Sequence, residues 1–181
     1  MRDNKIKFMT TTALMAAVIC ILGPLSLPIG PIPISLTNFA IYITMYILGT
    51  KRGLCAFLLY LLLGLVGLPV FSGFSGGPWK LFGPTGGYLI GFIPMALLIG
   101  LFLKKHSANR IACIIVMELA TWIAYLTGTL WLAFQANMTF AAALAAGVTP
   151  FIILDLIKIV ISSLIGPVLR KTLAPFTGIN G

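Results

Sequence analysis

The sequence predicts an all-α integral membrane protein, a bundle of six transmembrane helices with cytoplasmic N- and C-termini. Hydrophobic residues make up 60% of the 181 residues and charged residues only 8%, whereas an ordinary soluble domain has roughly 25% charged residues. No Asp, Glu, Lys or Arg occurs in the windows 8–50, 53–79, 81–103 and 119–154. The net charge of +9 comes from small basic clusters between apolar runs, which is typical of cytoplasmic loops and not of a nucleic-acid surface.

The apolar windows divide into spans at Gly, Pro and charged positions. A span needs about 20 apolar residues, so the first and last windows hold two spans, or a span and a loop. The first span follows MRDNKIKF and shows no small-residue cleavage site, so we expect it to be retained and not removed as a signal peptide. The predicted spans, within one domain covering 1–181, are 9–27, 35–50, 53–69, 85–103, 109–132 and 148–169.

The connections between these spans differ in character. The first, 28–34, reads PIGPIPI and is too rich in Pro and Gly for regular helix, whereas 50–53 is a tight basic turn. The third connection, 67–84, is long and again rich in Gly and Pro, and 135–149 carries no charge. The three cysteines match no metal or redox spacing, and we expect no metal and no cofactor.

The basic residues fix the predicted sidedness. With a cytoplasmic N-terminus, six spans place one basic residue outside, Lys80, and one within the membrane, Lys158. With five or seven spans, the basic residues would no longer be concentrated on one side of the membrane. The Gly/Pro-rich connections 28–34 and 67–84 then face outward. The ten basic residues predicted inside are Arg2, Lys5, Lys7, Lys51, Arg52, Lys104, Lys105, Arg110, Arg170 and Lys171.

Asp155 and Lys158 are the strongest candidates for a binding site. Three residues apart on the last span, they share one helix face, and charged residues inside a span usually mark a site or a pathway. Pro150 suits the first turn of this helix, which places the pair near its outer end. A carboxylate beside an ammonium fits a ligand with N–H donors next to a carbonyl, such as a urea or an amide. The alternative is an ion pair that only neutralises itself.

The outer segment 67–92, GLPVFSGFSGGPWKLFGPTGGYLIGF, is the second candidate. Its glycines allow close backbone approaches, and irregular backbone at this depth is tolerated where it lines a cavity. Free N–H groups at the start of span four could face a carboxylate, and Lys80 adds a positive charge. A flexible loop with interfacial aromatics is the alternative. The residues singled out here are Phe71, Gly73, Phe74, Gly76, Gly77, Trp79, Gly83, Thr85, Gly86, Gly87 and Tyr88.

Two further features point to contacts between helices. Ala13 and Ala17 form a small-xxx-small pair that lets another helix approach closely, either an external partner or a helix of the same bundle. Glu118 lies in the inner half of span five, as a satisfied bundle residue or as part of a coupling interface. Tyr125, Trp122 and Trp131 on the same span are more typical of packing than of ligand contact, though Trp131 lies toward its outer end.

Several enzyme classes are excluded by what the sequence lacks. It contains no G-x-x-x-x-G-K-[ST], no H-E-x-x-H and no G-x-S-x-G, so it offers neither a P-loop for ATP hydrolysis nor these catalytic sites. Three acidic residues and one His leave little for general acid–base chemistry. We therefore expect no enzyme.

The run 67–92, and above all GPTGGYLIGF at 83–92, resembles the signature of the biotin-specific substrate-binding S component of energy-coupling factor transporters. The resemblance covers nearly the whole chain. It includes the Ala-rich first helix, GPLSLPIGPIPISL at 23–36, Tyr125 with Gly128 and Trp131, and P-x-x-x-x-D-x-x-K at 150–158. Two positions depart from the pattern: Thr37-Asn38 replaces Gln-Thr, and Trp79-Lys80 stands where relatives usually carry small or apolar residues.

The resemblance implies a function that the residues alone do not name. Such proteins are six-helix subunits of prokaryotic plasma membranes that capture the vitamin from outside with high affinity. They associate with a transmembrane coupling protein and two ATPase subunits, which hydrolyse ATP, and are thought to topple to release substrate inside.

The resemblance also assigns roles to residues. Asp155 and Lys158 would bind the ureido ring, with Asn38, Tyr125 and the 67–88 segment completing the site. The Ala13–Ala17 face would dock on the coupling protein. An S component for another small vitamin is the runner-up, and a membrane enzyme or a ligand-free assembly subunit are the alternatives from other classes.

Overall fold

The computed structural model describes residues 2–28 and 32–178, which form seven helices and a two-stranded hairpin. The predicted all-α class is confirmed. The middle of the 28–34 connection lies outside the described residues. In chain order the elements are α1 (Arg2–Leu22), β1 (Ser26–Leu27), β2 (Ile34–Ser35), α2 (Thr37–Leu65), α3 (Pro78–Phe82), α4 (Gly86–His106), α5 (Arg110–Gln135), α6 (Phe140–Gly147) and α7 (Ile152–Thr177).

Within the described ranges, five helices are long and apolar enough to cross a membrane: α1, α2, α4, α5 and α7. The protein is therefore a multi-pass membrane protein. The helix bounds differ from the predicted spans at both ends of the chain, because α1 already begins at Arg2 and α7 continues to Thr177. Pro167 and Pro175 lie inside α7 without ending it.

The second and third predicted spans both lie within α2, which reverses direction at Gly49. Gly49 has φ 66° and ψ −172°, a backbone conformation open essentially to glycine alone. A Cβ on Gly53 would lie 3.5 Å from the Thr44 carbonyl oxygen, whereas nine residues of straight helix would separate these positions by about 13.5 Å. The two arms of α2 are therefore antiparallel, and the chain makes six crossings.

Buried apolar side chains from α1, α2, α4, α5 and α7 form the core. Tyr42, Tyr46, Phe57 and Tyr60 of α2 are fully buried in it, because both arms of the hairpin pack on neighbouring helices. The opposite faces of α1, α5 and α7 expose large apolar side chains such as Met9, at 70%, as expected for a surface that contacts lipid.

Arginines join helix ends at one end of the bundle. Arg52, after the α2 hairpin turn, donates to the Thr177 carbonyl at the end of α7 and lies 5.3 Å from the ring centroid of Phe8 on α1. Arg170 donates to the Leu103 carbonyl near the end of α4, at 3.1 Å. The hairpin β1–β2 and the segment 66–85 lie at the other end. This arrangement agrees with the predicted sidedness.

Candidate ligand-binding site

Asp155 and Lys158 form an ion pair on the first two turns of α7. The Lys158 Nζ lies 2.9 Å from Asp155 Oδ1, and the two side chains are 12% and 5% exposed. They lie on one face because one helical turn separates them. This is the ion pair found among the described residues, and it lies at the end of the bundle that carries the β1–β2 hairpin.

Three other elements contribute to the surroundings of this pair. Tyr125 of α5 donates to Asp155 Oδ2 at 2.7 Å. Lys158 donates to the Ser35 carbonyl of β2 at 2.7 Å and to Asn38 Oδ1 of α2 at 3.1 Å. An ammonium has three donors, so each N–H of Lys158 meets an acceptor of the chain. The cluster fixes both charges in place.

Asp155 retains acceptor capacity in this arrangement. Each of its two oxygens accepts one hydrogen bond, from Lys158 and from Tyr125, and a carboxylate offers about four acceptor positions. Asp155 is buried, so a donor that reaches its carboxylate must come from a group inside the bundle. The pair therefore suits a ligand with N–H groups.

A mainly apolar cavity opens beside the cluster. Its walls come from helices α2 to α7 and from the segments 32–35 and 71–72. Aromatic and aliphatic walls with a few convergent polar groups are the usual composition of a small-molecule site. The lining residues are Ile32, Pro33, Ser35, Thr37, Asn38, Phe71, Ser72, Lys80, Thr85, Tyr88, Leu89, Phe92, Tyr125, Gly147, Phe151, Asp155 and Lys158.

The outer segment forms one wall of the cavity and is held by specific contacts. Phe71 is 1% exposed and its backbone pairs with Ser75, at 2.8 and 3.2 Å. Its ring lies edge-on to Tyr60 with 5.4 Å between centroids. Further along, Trp131 and Gln135 of α5 donate to the carbonyls of 83 and 82, at 2.9 and 2.8 Å. The segment is therefore a structured cover rather than a loose loop.

Tyr88 is held against two glycines. A Cβ on Gly128 would lie 2.2 Å from Tyr88 Cδ1, and one on Gly147 would lie 2.0 Å from its hydroxyl. The tyrosine ring can occupy this position only because both neighbours lack a side chain. Tyr88 lines the cavity, and its buried hydroxyl interacts with Thr129.

Lys80 brings a second positive charge to the cavity. It lies on α3, is half-buried, and its Nζ is 5.6 Å from the ring centroid of Trp79. Burial lowers the pKa of Lys80 below its ordinary value, because desolvation disfavours the ammonium form. The sequence had singled out Lys80 without a role, and the structure places it on the cavity wall.

Most of the predicted ligand contacts come together in the cavity, but the glycines do not. Gly86 packs on the Leu81 carbonyl and Gly87 on the Trp131 side chain, where a Cβ would lie 1.7 and 2.2 Å away. Both serve the packing of α4 on its neighbours. Gly73 is exposed with φ 73° and shapes the loop. The predicted contacts that line the cavity are Asn38, Phe71, Thr85, Tyr88, Tyr125, Asp155 and Lys158.

Several residues that line the cavity were not predicted from the sequence. Ser35 contributes its backbone carbonyl, a contact that cannot be predicted from the type of residue. Thr37, Gly147 and Phe151 line the cavity from α2, α6 and the turn before α7. Short α6 lies in the uncharged stretch 135–149, where an apolar run gave no separate signal for a helix. Phe151 could have been found, since it precedes Asp155 by one helical turn.

Ala13 and Ala17 lie on the outer face of α1. Both are exposed, whereas Ala16 is 3% exposed and belongs to the core. The pair continues a row that includes Met9 and Ile21, which are 70% and 67% exposed. No described part of the bundle covers this row, so the pair is not used for packing within the described chain.

Glu118 lies partly buried on α5. Its carboxylate interacts with the Trp122 side chain one helical turn away and, electrostatically, with Asp155. Glu118 does not line the cavity.

Among the residues described, no group of three or more His, Cys, Asp or Glu is placed so that it could hold a metal ion.

The six-crossing bundle, with a buried polar cluster at the end of an apolar cavity, defines a membrane-embedded solute-binding subunit of a transport system. The chain belongs to the BioY family, whose profile matches residues 1–175.

Two curated relatives cover most of the chain. It is 37% identical over 174 residues to biotin transporter BioY2 of Lactococcus lactis subsp. cremoris, covering 96% of each chain. It is 40% identical over 163 residues to biotin transporter BioY of Thermotoga maritima, covering 87% of this chain and 92% of the relative.

A solved structure shares the fold. The crystal structure of the S-component for biotin from an ECF-type ABC transporter superposes with a TM-score of 0.87. It is 37% identical to this chain, and the match covers 94% of each chain.

Proposed function

We propose that this protein is the biotin-binding S component of an energy-coupling factor transporter, capturing biotin from outside the cell for uptake. The observation that carries the proposal is the buried cluster of Asp155, Lys158, Tyr125 and Asn38 at the end of an apolar cavity. Membership of a family that includes biotin transporters supports it.

The chemistry of biotin matches the two parts of this cavity. Its ureido ring carries two N–H donors on either side of a carbonyl. The open acceptor positions of Asp155 suit the donors, and Lys158 suits the carbonyl oxygen. Because each N–H of Lys158 already meets an acceptor, the ligand carbonyl must replace or share one of them. The thioether ring and the aliphatic chain suit the walls formed by Phe71, Leu89 and other apolar residues.

The sequence has no P-loop, so ATP hydrolysis that drives uptake would have to be carried out by other subunits. We propose a transmembrane coupling protein and two ATPase subunits in this role. In this proposal the coupling protein docks on the exposed Ala13–Ala17 row of α1, since small residues let a helix of another protein approach the α1 backbone closely.

A binding titration of the detergent-purified protein with biotin tests the proposal. Wild type should bind biotin, and Asp155→Asn or Lys158→Met should weaken binding by about 2–5 kcal/mol because each leaves a buried polar partner unpaired. Lys171→Met is the matched control, an exposed lysine on the same helix, and should bind as wild type does.

Two results would contradict the assignment in different ways. Full affinity in both site variants would remove Asp155 and Lys158 from the site while leaving biotin as the ligand. Absence of biotin binding by wild type, with another vitamin identified by mass spectrometry of the purified protein, would replace the ligand.

A further inference from the structure

The charges that line the cavity do not balance. Lys80 and Lys158 contribute two positive charges and Asp155 one negative charge, so the lining carries a net charge of +1. Asp155 and Lys158 neutralise each other at 2.9 Å. The remaining charge is therefore on Lys80, at the wall formed by the outer segment.

No carboxylate pairs with Lys80 among the side chains that the structure describes, those of 5–28 and 32–178. The chain contains three acidic residues. Asp155 is paired with Lys158, Asp3 lies in the first turn of α1, and Glu118 lies on α5 outside the cavity lining. The Lys80 Nζ lies over the Trp79 ring, a contact that compensates for only part of the lost hydration.

A second unpartnered polar group lines the same wall. The Ser72 hydroxyl is buried, borders the cavity and makes no hydrogen bond in the described part of the chain. Burial lowers the pKa of Lys80 because desolvation disfavours the ammonium form, and a nearby negative charge would favour that form. A carboxylate accepts hydrogen bonds from ammonium and from hydroxyl groups, and both kinds of donor lie on this part of the lining.

We propose that Lys80, assisted by the Ser72 hydroxyl, binds the carboxylate of the ligand, so that the cavity recognises an anionic tail as well as the N–H donors at the Asp155 end. This inference rests on the proposed function for the identity of the ligand. It adds a specificity determinant: the protein selects the free acid over neutral derivatives of the same molecule.

The position of Lys80 is defined well enough for this role. At the end of its helix, α3, the carbonyls of 82 and 83 accept hydrogen bonds from Gln135 and Trp131 of α5, at 2.8 and 2.9 Å. Its own backbone N–H donates to the Gly77 carbonyl at 3.2 Å. The outer segment therefore presents the ammonium to the cavity from a fixed backbone.

The test compares biotin with biotinamide, which keeps the rings and the chain but replaces the carboxylate by a neutral carboxamide. Affinities are measured by titration for wild type, Lys80→Met and Lys80→Arg, with Lys104→Met as an exposed-lysine control. Wild type should prefer biotin by about fivefold to fiftyfold, between the value of an exposed pair and that of a charged hydrogen bond. Lys80→Met should bind both ligands equally, whereas Lys80→Arg and Lys104→Met should keep the preference.

The ratio of the two affinities separates recognition from structural damage. A disturbed α3 would weaken both ligands together and leave the ratio unchanged, and an unchanged ratio in Lys80→Met overturns the inference. If Lys80→Met loses both ligands, Lys80→Arg decides: recovery of biotin alone supports the subsite, and equal recovery of both overturns it. Wild type that binds biotin without preference overturns this inference only, whereas wild type that binds neither compound overturns the proposed function.

Discussion

Lys158 of α7 donates a hydrogen bond to Asn38 of α2 across 3.1 Å. The two residues are 120 positions apart, and their contact ties the first arm of the α2 hairpin to the last helix. Asn38 Oδ1 also accepts from the backbone N–H of Phe39 at 3.0 Å, which orients the amide. The charged end of the site thus includes a contact between two helices that come together only in the folded bundle.

Asn38→Leu should weaken biotin binding by about 1.5–3 kcal/mol, because one donor of a largely buried ammonium loses its acceptor. Asn38→Asp should also weaken binding, by changing the charge of the cluster. The measurement is a titration beside a thermal unfolding curve in detergent. A variant that unfolds at the wild-type temperature with unaltered affinity would exclude Asn38 from the site.

Tyr125→Phe removes the hydroxyl that donates to Asp155 Oδ2 at 2.7 Å. The carboxylate then loses one of its partners, and we expect biotin affinity to fall by about 1–2 kcal/mol. Tyr46→Phe is the matched control, because Tyr46 is also buried and does not line the cavity. Equal losses in the two variants would show that the effect is general and not specific to Asp155.

Biotin affinity should fall as the pH rises through the lowered pKa of Lys80. Below this pKa the ammonium is charged and attracts the carboxylate; above it the charge is lost. Bound carboxylate raises the pKa of Lys80 in the complex, so the decline begins at the pKa of the free protein and levels off above that of the complex.

The check is a series of titrations from about pH 7 to 10 on wild type and Lys80→Met. The other titratable groups that line the cavity, Asp155, Lys158, Tyr88 and Tyr125, are common to both proteins. The difference between the two curves therefore reports Lys80, and identical curves would contradict the prediction.

Ala13→Leu with Ala17→Leu should leave biotin binding unchanged and abolish uptake in cells that supply the coupling partners. Both alanines are exposed on α1, and added side chains there prevent close approach of a partner helix. Co-purification with the coupling protein is the direct measurement. Ala145→Leu, an exposed alanine on α6, is the control and should assemble normally.

Gly49→Ala should destabilise the fold by about 1–3 kcal/mol, since its backbone conformation is open essentially to glycine. Space is not the cause, because nothing lies within 4 Å of the Cβ position. Thr50→Ala, at the next residue, should cost less. Thermal unfolding in detergent measures both, and a wild-type midpoint for Gly49→Ala would show that the hairpin turn tolerates a side chain.

Much of the fold follows from local patterns. Charge-free windows and basic turns predict the six crossings, and the tight turn at 50–53 predicts the reversal that Gly49 provides. The bounds of α1 and α7 are harder to predict, because Lys and Arg are good helix formers and the prolines of α7 are tolerated within the bundle. Short α6 was not predicted, because it lies in the uncharged stretch 135–149, which was interpreted as a connection.

The binding site also has parts that could be predicted from the sequence and parts that could not. Asp155 and Lys158 were predictable because charge is costly in a membrane. The Ser35 carbonyl was not, since it depends on the path of β2. Gly86 and Gly87 were predicted to contact the ligand because glycine suggests access, but helix packing uses glycine for the same reason. Only the positions of Leu81 and Trp131 distinguish the two uses.

The arginine contacts at the inner end of the bundle affect how the molecule can deform. Arg52 and Arg170 each bind the carbonyl end of a different helix, where the helix dipole favours positive charge. These contacts link the α2 turn to α7 and α7 to α4. The three elements therefore resist being spread apart by lateral pressure from the lipid. We expect the inner half of the bundle to move as one body when the molecule deforms.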